Sequence, residues 1–248
     1  MTAIILAAGI GQRLGDLTLL KPKCLTEVNG KSILNYNLHN LQEAGFDKVV
    51  IVIGYLGKKI VEDIGFSYGN IQIEYIENEI YARTNSMYSL WMAREYLREG
   101  VFLIEGDCIC EPKIIQNAIG LPNSNSYWIA DKFTHESEGC MLTTDVNEKI
   151  VDIKIVREEL HVYRENYYKS CGMIKLSKKL GNNFYYWLDQ DINKGNINIY
   201  YDLVLAKHVH LSDLHVYCID GLKWYEIDDL NDLKQAEKIL WTKNSNER

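Results

Sequence analysis

A single-domain α/β fold, with a mixed, mostly parallel sheet flanked by helices, is predicted for this chain by three features. Continuous apolar runs at Ala3 to Ala8, Lys48 to Gly54 and Val101 to Ile104 have the composition of strands buried on both faces. Stretches of helical periodicity alternate with these runs, the first at 31–44, where Ile33, Leu34, Tyr36, Leu38, Leu41 and Ala44 fall at helical spacing. The 248 residues, 47% hydrophobic and 25% charged, suffice for one full core, and no low-complexity linker or repeat divides them.

The elements follow in order. A strand over 2–7 is followed by the helix over 31–44, a strand over 48–54, a short helix over 58–63 and a strand over 71–76. Thr84 or Asn85 caps a helix running to about 97. The strand over 101–104 ends at Gly106-Asp107, and Pro112 suits the first turn of the next helix. From about 124 the segments shorten, and strands at 126–131, 139–144 and 149–157 predict a partly antiparallel extension of the same sheet. A strand over 171–176 returns towards the core, before helices near 178–190 and 198–209, a strand over 215–219 and a helix over 229–240 with Asp229 as its cap. The polar run Thr242 to Arg248 reads as a frayed tail.

A net charge of −7 argues against a nucleic-acid-binding surface, which a basic stripe would mark. No apolar run approaches the roughly 20 residues that span a bilayer, and Met1 leads directly into a strand, so no membrane association and a cytoplasmic location are expected. The six cysteines, Cys24, Cys108, Cys110, Cys140, Cys171 and Cys218, lack the paired spacing of zinc sites and read as reduced thiols. The six histidines are scattered and read as solvated or packed imidazoles.

The most informative stretch is 6–25. Gly9-Ile10-Gly11 directly after an apolar strand lets the chain turn with outward-pointing N–H groups, and Arg13, Lys21 and Lys23 add charge suited to a triphosphate. A dinucleotide fingerprint would need glycine where Leu14 stands, and the Gly-Lys-Ser/Thr of a P-loop is absent. Lys21 reads equally as a solvated lysine. Asp107 follows a strand, where open α/β sheets bind ligands. Glu226 and Asp228 alternate with Tyr225 and Ile227, which puts both carboxylates on one side of a strand.

The run Leu6-Ala7-Ala8-Gly9-Ile10-Gly11-Gln12-Arg13-Leu14, followed by Lys21-Pro22-Lys23, resembles the signature of the nucleotidyltransferases that activate sugar phosphates and small alcohol phosphates. Within that superfamily the chain is most similar to the bacterial phosphocholine cytidylyltransferases and the 2-aminoethylphosphonate cytidylyltransferases. Thr84 to Leu90, Glu105-Gly106-Asp107 and Trp224 to Asp228 carry the likeness over 1–240.

The resemblance implies a Rossmann-like nucleotidyltransferase fold, with 1–123 mainly nucleotide-binding and 124–240 mainly acceptor-binding. It implies transfer of CMP from CTP to a small phosphate or phosphonate, with release of pyrophosphate and Mg²⁺ as cofactor. Lys23 and Arg13 take the catalytic roles, Lys23 at the α-phosphate and Arg13 at the departing phosphates. Leu6, Ala7, Ala8, Gly9, Gly11, Gln12, Arg13, Lys23, Asn85 and Asp107 face the nucleotide, and Asp107, Glu226 and Asp228 hold the metal. Lys169, Tyr201, Asp202 and Trp224 face the acceptor, with Lys169 at its phosphate or phosphonate and Asp202 at an ammonium group. A homodimer is a further implication.

Alternatives remain at several of these positions. Asn85 reads as a pyrimidine contact or as a helix cap, and Asp202 as an ammonium partner or as a local cap. A sugar-1-phosphate nucleotidyltransferase, or a catalytically silent nucleotide-sensing subunit, is the alternative function. Lys23, Asp107 and Asp228 together argue against silence.

Overall fold

The computed structural model describes residues 1–135, 137–158 and 164–239, so the polar run at 242–248 lies outside the described residues. The first strand, β1 (Thr2–Ala7), leads through a one-turn helix, α1 (Leu17–Leu20), and a small hairpin, β2 (Glu27–Val28) and β3 (Lys31–Ser32), into α2 (Ile33–Glu43). Ser32 Oγ accepts the Asn35 N–H and so caps α2 one residue inside the hairpin, which trims the helix expected from 31. Next come β4 (Lys48–Ile53), α3 (Gly57–Ile64), β5 (Ser67–Tyr68) and β6 (Ile71–Glu77).

The helix expected to run to about 97 is two helices, α4 (Ser86–Met92) and α5 (Arg94–Leu97). Ala93 breaks it at φ −91°, ψ 6°, and the Arg94 guanidinium donates to the Trp91 carbonyl at the break. The chain continues through β7 (Val101–Glu105), β8 (Cys108–Cys110), α6 (Pro112–Gly120), β9 (Ser126–Lys132), β10 (Gly139–Thr144) and β11 (Ile150–Val156). The returning strand β12 (Tyr167–Leu176) starts earlier than the sequence suggests. It is followed by α7 (Lys178–Asn193), a shortened α8 (Tyr201–Lys207), β13 (Leu214–Cys218), β14 (Trp224–Glu226) and α9 (Leu230–Ile239).

Ten strands form one sheet, with order β11-β10-β12-β7-β1-β4-β6-β5 and with β9 and β13 added beside β12. The half built from β7, β1, β4 and β6 is parallel, and the later half is largely antiparallel. Because β4 lies on one side of β1 and β7 on the other, the chain reverses its winding at the carboxyl end of β1. Open sheets of this kind leave a crevice at that point.

Alternation along β1 divides the core. Ile4 packs into a layer with Leu90, Leu97, Trp128, Leu180 and Phe184, whereas Ala3 and Ile5 pack on the opposite face with Leu34, Leu38, Ile60 and Ile115. Both faces are therefore covered, as a central parallel strand requires.

A pairing between distant segments positions the remaining acidic residues. β8 pairs antiparallel with β14, with Glu226 opposite Cys108, and the Ile227 N–H donates to the Asp107 carbonyl. On the other side of β8, Asn37 and Asn40 of α2 donate their buried amides to the Cys108 and Cys110 carbonyls. The strand that follows Asp107 is thus held from both edges. Among the described residues, no helix is long and apolar enough to cross a membrane.

Candidate active site

The turn after β1 is shaped by Gly11, whose φ of +68° lies in the left-handed region. A Cβ there would stand 2.9 Å from the Cβ of Lys23 and 3.2 Å from the Thr18 methyl. Glycine therefore lets the Lys23 stem pack directly on the turn. Its ammonium emerges at the carboxyl ends of β1 and β7.

There Lys23 Nζ donates to Asp107 Oδ2 and to Asp228 Oδ1, each at 2.6 Å, and Arg13 reaches Asp228 Oδ1 at 2.8 Å. Burial works against the Lys23 ammonium, but the two carboxylates hold its pKa above the ordinary lysine value. Burial likewise pushes the Asp107 carboxyl up, and Lys23 overrides it, leaving Asp107 below its usual value. Across the cleft, Lys169 Nζ donates to Glu226 Oε2 at 2.9 Å. Here burial dominates, and the Glu226 carboxyl is raised in spite of its partner.

These residues line one cleft of about 1170 Å³. Leu6, Ala7, Ala8, Gly9, Gly11, Gln12, Arg13, Lys23, Asn85 and Asp107 are on its walls, as are Lys169, Asp202, Glu226 and Asp228. Lys21 is not, and pairs instead with Glu27 at 2.7 Å on the surface. Asn85 caps α4, its Oδ1 accepting the Ser86 N–H at 2.8 Å, and the residue also lines the cleft. Asp229 caps α9, accepting the N–H groups of Asn231 and Asp232.

Two of the acceptor residues expected from the sequence are not brought to the cleft. Tyr201 is fully buried: its ring stacks on Trp128 with centroids 6.4 Å apart, and its hydroxyl donates to Glu105 Oε1 at 2.6 Å. At the start of α8 it is Asp202 that faces the ligand space, so its neighbour faces the core. Trp224 stands behind Lys169, 6.0 Å from its Nζ, with the indole N–H donated to Asp131 at 3.0 Å.

Residues that sequence reasoning missed include Glu105 and Cys140, both on the cleft wall. Glu105 had a signal, because it stands two residues before Asp107 at the end of the same strand. Burial first, then the neighbouring Asp202, raises its carboxyl well above the usual range. Cys140 carries no such signal.

Asp202 is only 7% exposed, and its Oδ1 has no hydrogen-bond partner among the described residues. Burial pushes its pKa up to about 6. A carboxyl whose folded-state pKa is raised destabilises the native state as pH climbs from its unfolded value, near 4, to about 6, and by a constant amount above that. Asp202→Asn is therefore expected to stabilise the ligand-free protein by about 1–3 kcal/mol at pH 7.5 and by little at pH 4. Urea unfolding at the two pH values checks this, and equal or lower stability of the variant at pH 7.5 would contradict it.

The donor set suits a hard divalent cation. Asp107 and Asp228 direct carboxylate oxygens at a single positive centre, the Lys23 ammonium, and Glu226 lies on the strand beside them. Glu105 and Cys108 present ligand atoms within 4.8 Å of each other and of Asp107, with burial raising the Cys108 thiol pKa.

The family model for the MobA-like NTP transferase domain matches residues 3–139. The CMP-5'-(3-aminopropyl)phosphonate synthase of Streptomyces rubellomurinus is 30% identical over 252 residues, covering 95% of this chain, and the chain spans 38% of that protein's length. The choline-phosphate cytidylyltransferase of Streptococcus pneumoniae is 28% identical over 248 residues, covering 98% of this chain and all of that protein. The solved structure of the CTP:phosphocholine cytidylyltransferase from Streptococcus pneumoniae superposes with a TM-score of 0.83 at 26% identity, covering 96% of this chain and 98% of that one. With its glycine turn, its cations and its sheet-edge carboxylates in one cleft, the chain belongs to the MobA-like NTP transferase domain family.

Proposed function

We propose that this protein is a Mg²⁺-dependent cytidylyltransferase that transfers CMP from CTP to a small phosphorylated or phosphonate alcohol or amine and releases pyrophosphate. The observation that carries the reading is the Lys23 ammonium held between Asp107 and Asp228 beneath the Gly9 to Gly11 turn. The names of the relatives, a choline-phosphate cytidylyltransferase and a CMP-phosphonate synthase, support CTP as donor and this class of acceptor.

A phosphate or phosphonate oxygen of the acceptor attacks the α-phosphorus in line. The new O–P bond forms as the bond to the β-phosphate oxygen breaks, and pyrophosphate departs with that electron pair. The acceptor is already ionised near neutral pH, so positioning and charge neutralisation carry the reaction and no strong base is required. Lys23, protonated throughout the working range, sets its charge at the α-phosphate and the attacking oxygen. Arg13, with its exposed guanidinium, holds the departing phosphates. Lys169 orients the acceptor's phosphate or phosphonate from the opposite wall. Asp107, Asp228 and Glu226 would hold Mg²⁺, which when bound neutralises charge on the triphosphate. With its oxygen engaged as a helix cap, Asn85 presents its amide NH₂ to the acceptor atoms of a cytosine edge, beside the Ala8 and Gly9 backbone. Cytoplasmic residence and a homodimer belong to the same reading.

Pyrophosphate release with Mg²⁺ and CTP, against phosphocholine, phosphoethanolamine, 2-aminoethylphosphonate, glycerol phosphate and glucose 1-phosphate, tests the reading. Turnover is expected with CTP and an amine-bearing acceptor, at a rate about tenfold or more above that with UTP, dTTP or ATP, a margin one lost base-edge hydrogen bond provides, and it is expected to stop on chelation. Turnover confined to glucose 1-phosphate would move the protein to the sugar branch. Silence with every pair would favour a nucleotide-sensing subunit.

A further inference from the structure

The strand that carries Lys169 changes partners along its length. Its first part, Tyr167 to Lys169, pairs with β10, and its last part, Met173 to Leu176, pairs with β7. At the change, Ser170 and Met173 stand opposite Ala130 and Ile129, which are adjacent on β9, so Cys171 and Gly172 form a two-residue bulge. Gly172 takes φ +68°, and a Cβ there would stand 2.6 Å from the Cys108 sulfur and 3.3 Å from the Glu105 Cβ. The bulge is therefore pressed against the end of β7 and the start of β8, an approach that glycine allows without strain.

One side chain fastens this bulge. The Ser170 hydroxyl oxygen accepts the Trp128 indole N–H at 2.8 Å and the Gly172 N–H at 3.0 Å, and the residue is only 6% exposed. Trp128 is itself fixed, because its ring stacks on Tyr201, whose hydroxyl donates to Glu105. Removing the serine hydroxyl leaves two buried N–H donors without an acceptor, a cost that the bulge relieves by shifting. Lys169 directly precedes Ser170, so its stem moves with the bulge. Its far end has no slack: Lys169 Nζ donates to Glu226 Oε2 at 2.9 Å and lies over Gly139, where a Cβ would stand 2.6 Å from it.

We propose that Ser170 is a positioning residue for the acceptor, acting through Lys169 by locking the β12 bulge in one geometry. This deepens the cytidylyltransferase reading and rests on it for the phosphate or phosphonate that Lys169 orients. Ser170 needs no contact with a ligand for this role. A small displacement of a positioned charge costs much of what the contact is worth.

Binding of phosphoethanolamine to the full chain is measured by calorimetry with Mg²⁺ and α,β-methylene-CTP, for the parent, Ser170→Ala, Lys169→Met and the double variant. CMP transfer from CTP is followed in parallel. Lys169→Met is expected to weaken acceptor binding about tenfold or more, the worth of one hydrogen bond between charged groups. Ser170→Ala is expected to weaken it at least about fivefold, most of that contact, while the dissociation constant of the CTP analogue stays unchanged. In the double variant the serine change adds nothing, because the lysine it positions is gone. Loss of folded protein alone would lower the stoichiometry and leave the dissociation constant where it was. Ser170→Cys, whose sulfur is a weak acceptor, takes the place of the alanine variant if that one does not fold. An unchanged acceptor dissociation constant in Ser170→Ala, a loss in the double variant beyond that of Lys169→Met, or no acceptor binding by the parent would overturn the proposal. Equal acceptor affinity of Lys169→Met and the parent would also overturn it, and CMP transfer by the parent would then keep the cytidylyltransferase reading. The expected binding pattern without any CMP transfer would instead overturn that reading and leave the positioning role standing.

Discussion

Lys23→Met lowers kcat for pyrophosphate release by about 10²–10³-fold, the range typical for removing one preorganised donor from a developing charge. Methionine keeps the unbranched stem that packs on Gly11 and removes only the cation, so the glycine turn stays in place. The loss should fall mainly on kcat, because the charge is needed most where the α-phosphorus carries five oxygens. The same replacement leaves Asp107 and Asp228 facing each other without the ammonium that lies 2.6 Å from each. The Asp107 carboxyl, which Lys23 holds below its usual value, should then titrate at higher pH. Steady-state kinetics with saturating CTP give the answer, and a kcat within about fivefold of the parent, well short of the loss of one donor, would remove Lys23 from the chemistry.

The largest effect on stability is expected at Gly181, which lies in the first turns of α7 against the end of α5. A Cβ added there would stand 1.9 Å from the Leu97 carbonyl oxygen and 2.8 Å from its carbon. Both are backbone atoms, so no rotamer change relieves the overlap, and the two helices must separate. Leu97, Leu180 and Phe184, all buried in the same apolar layer, would lose contact together. Gly181→Ala should therefore cost about 3 kcal/mol or more, the upper end of overpacking effects, even though alanine has the better helix propensity. Urea unfolding measures it, and a loss below about 1 kcal/mol, the low end of such effects, would show that the helices accommodate a methyl group.

The parallel half of the fold was legible because its signals are local. The apolar run at Ala3 to Ala8, the glycines after it and Pro112 at the start of α6 each state a backbone requirement within a few residues. Asp107 could be located for the same reason, being one step beyond a strand end. Tyr201 was misjudged because an aromatic residue next to a polar one looks the same whether its ring faces a ligand or a core, and only the packing of Trp128 decides. The pairing of β8 with β14 joins segments more than a hundred residues apart through three residues each, too short for any periodicity to register. The break at Ala93 also escaped, since no glycine or proline marks it and the Arg94 hydrogen bond that accompanies it has no sequence signature.

The thiols have a consequence for watching this molecule move. Cys24, Cys108, Cys110, Cys140 and Cys171 are buried and unpaired, and burial raises every one of their pKa values, whereas Cys218 is half-exposed. An alkylating probe meets a nucleophilic thiolate at the buried positions only when the protein opens. Cys110 and Cys171 sit in the layer against α2 and α6, and Cys140 in the layer against α4 and α7. Labelling rates at Cys110 and Cys171 therefore clock the opening of the α2 and α6 layer without any engineered reporter, whereas Cys140, on the cleft wall, also reports access from the cleft.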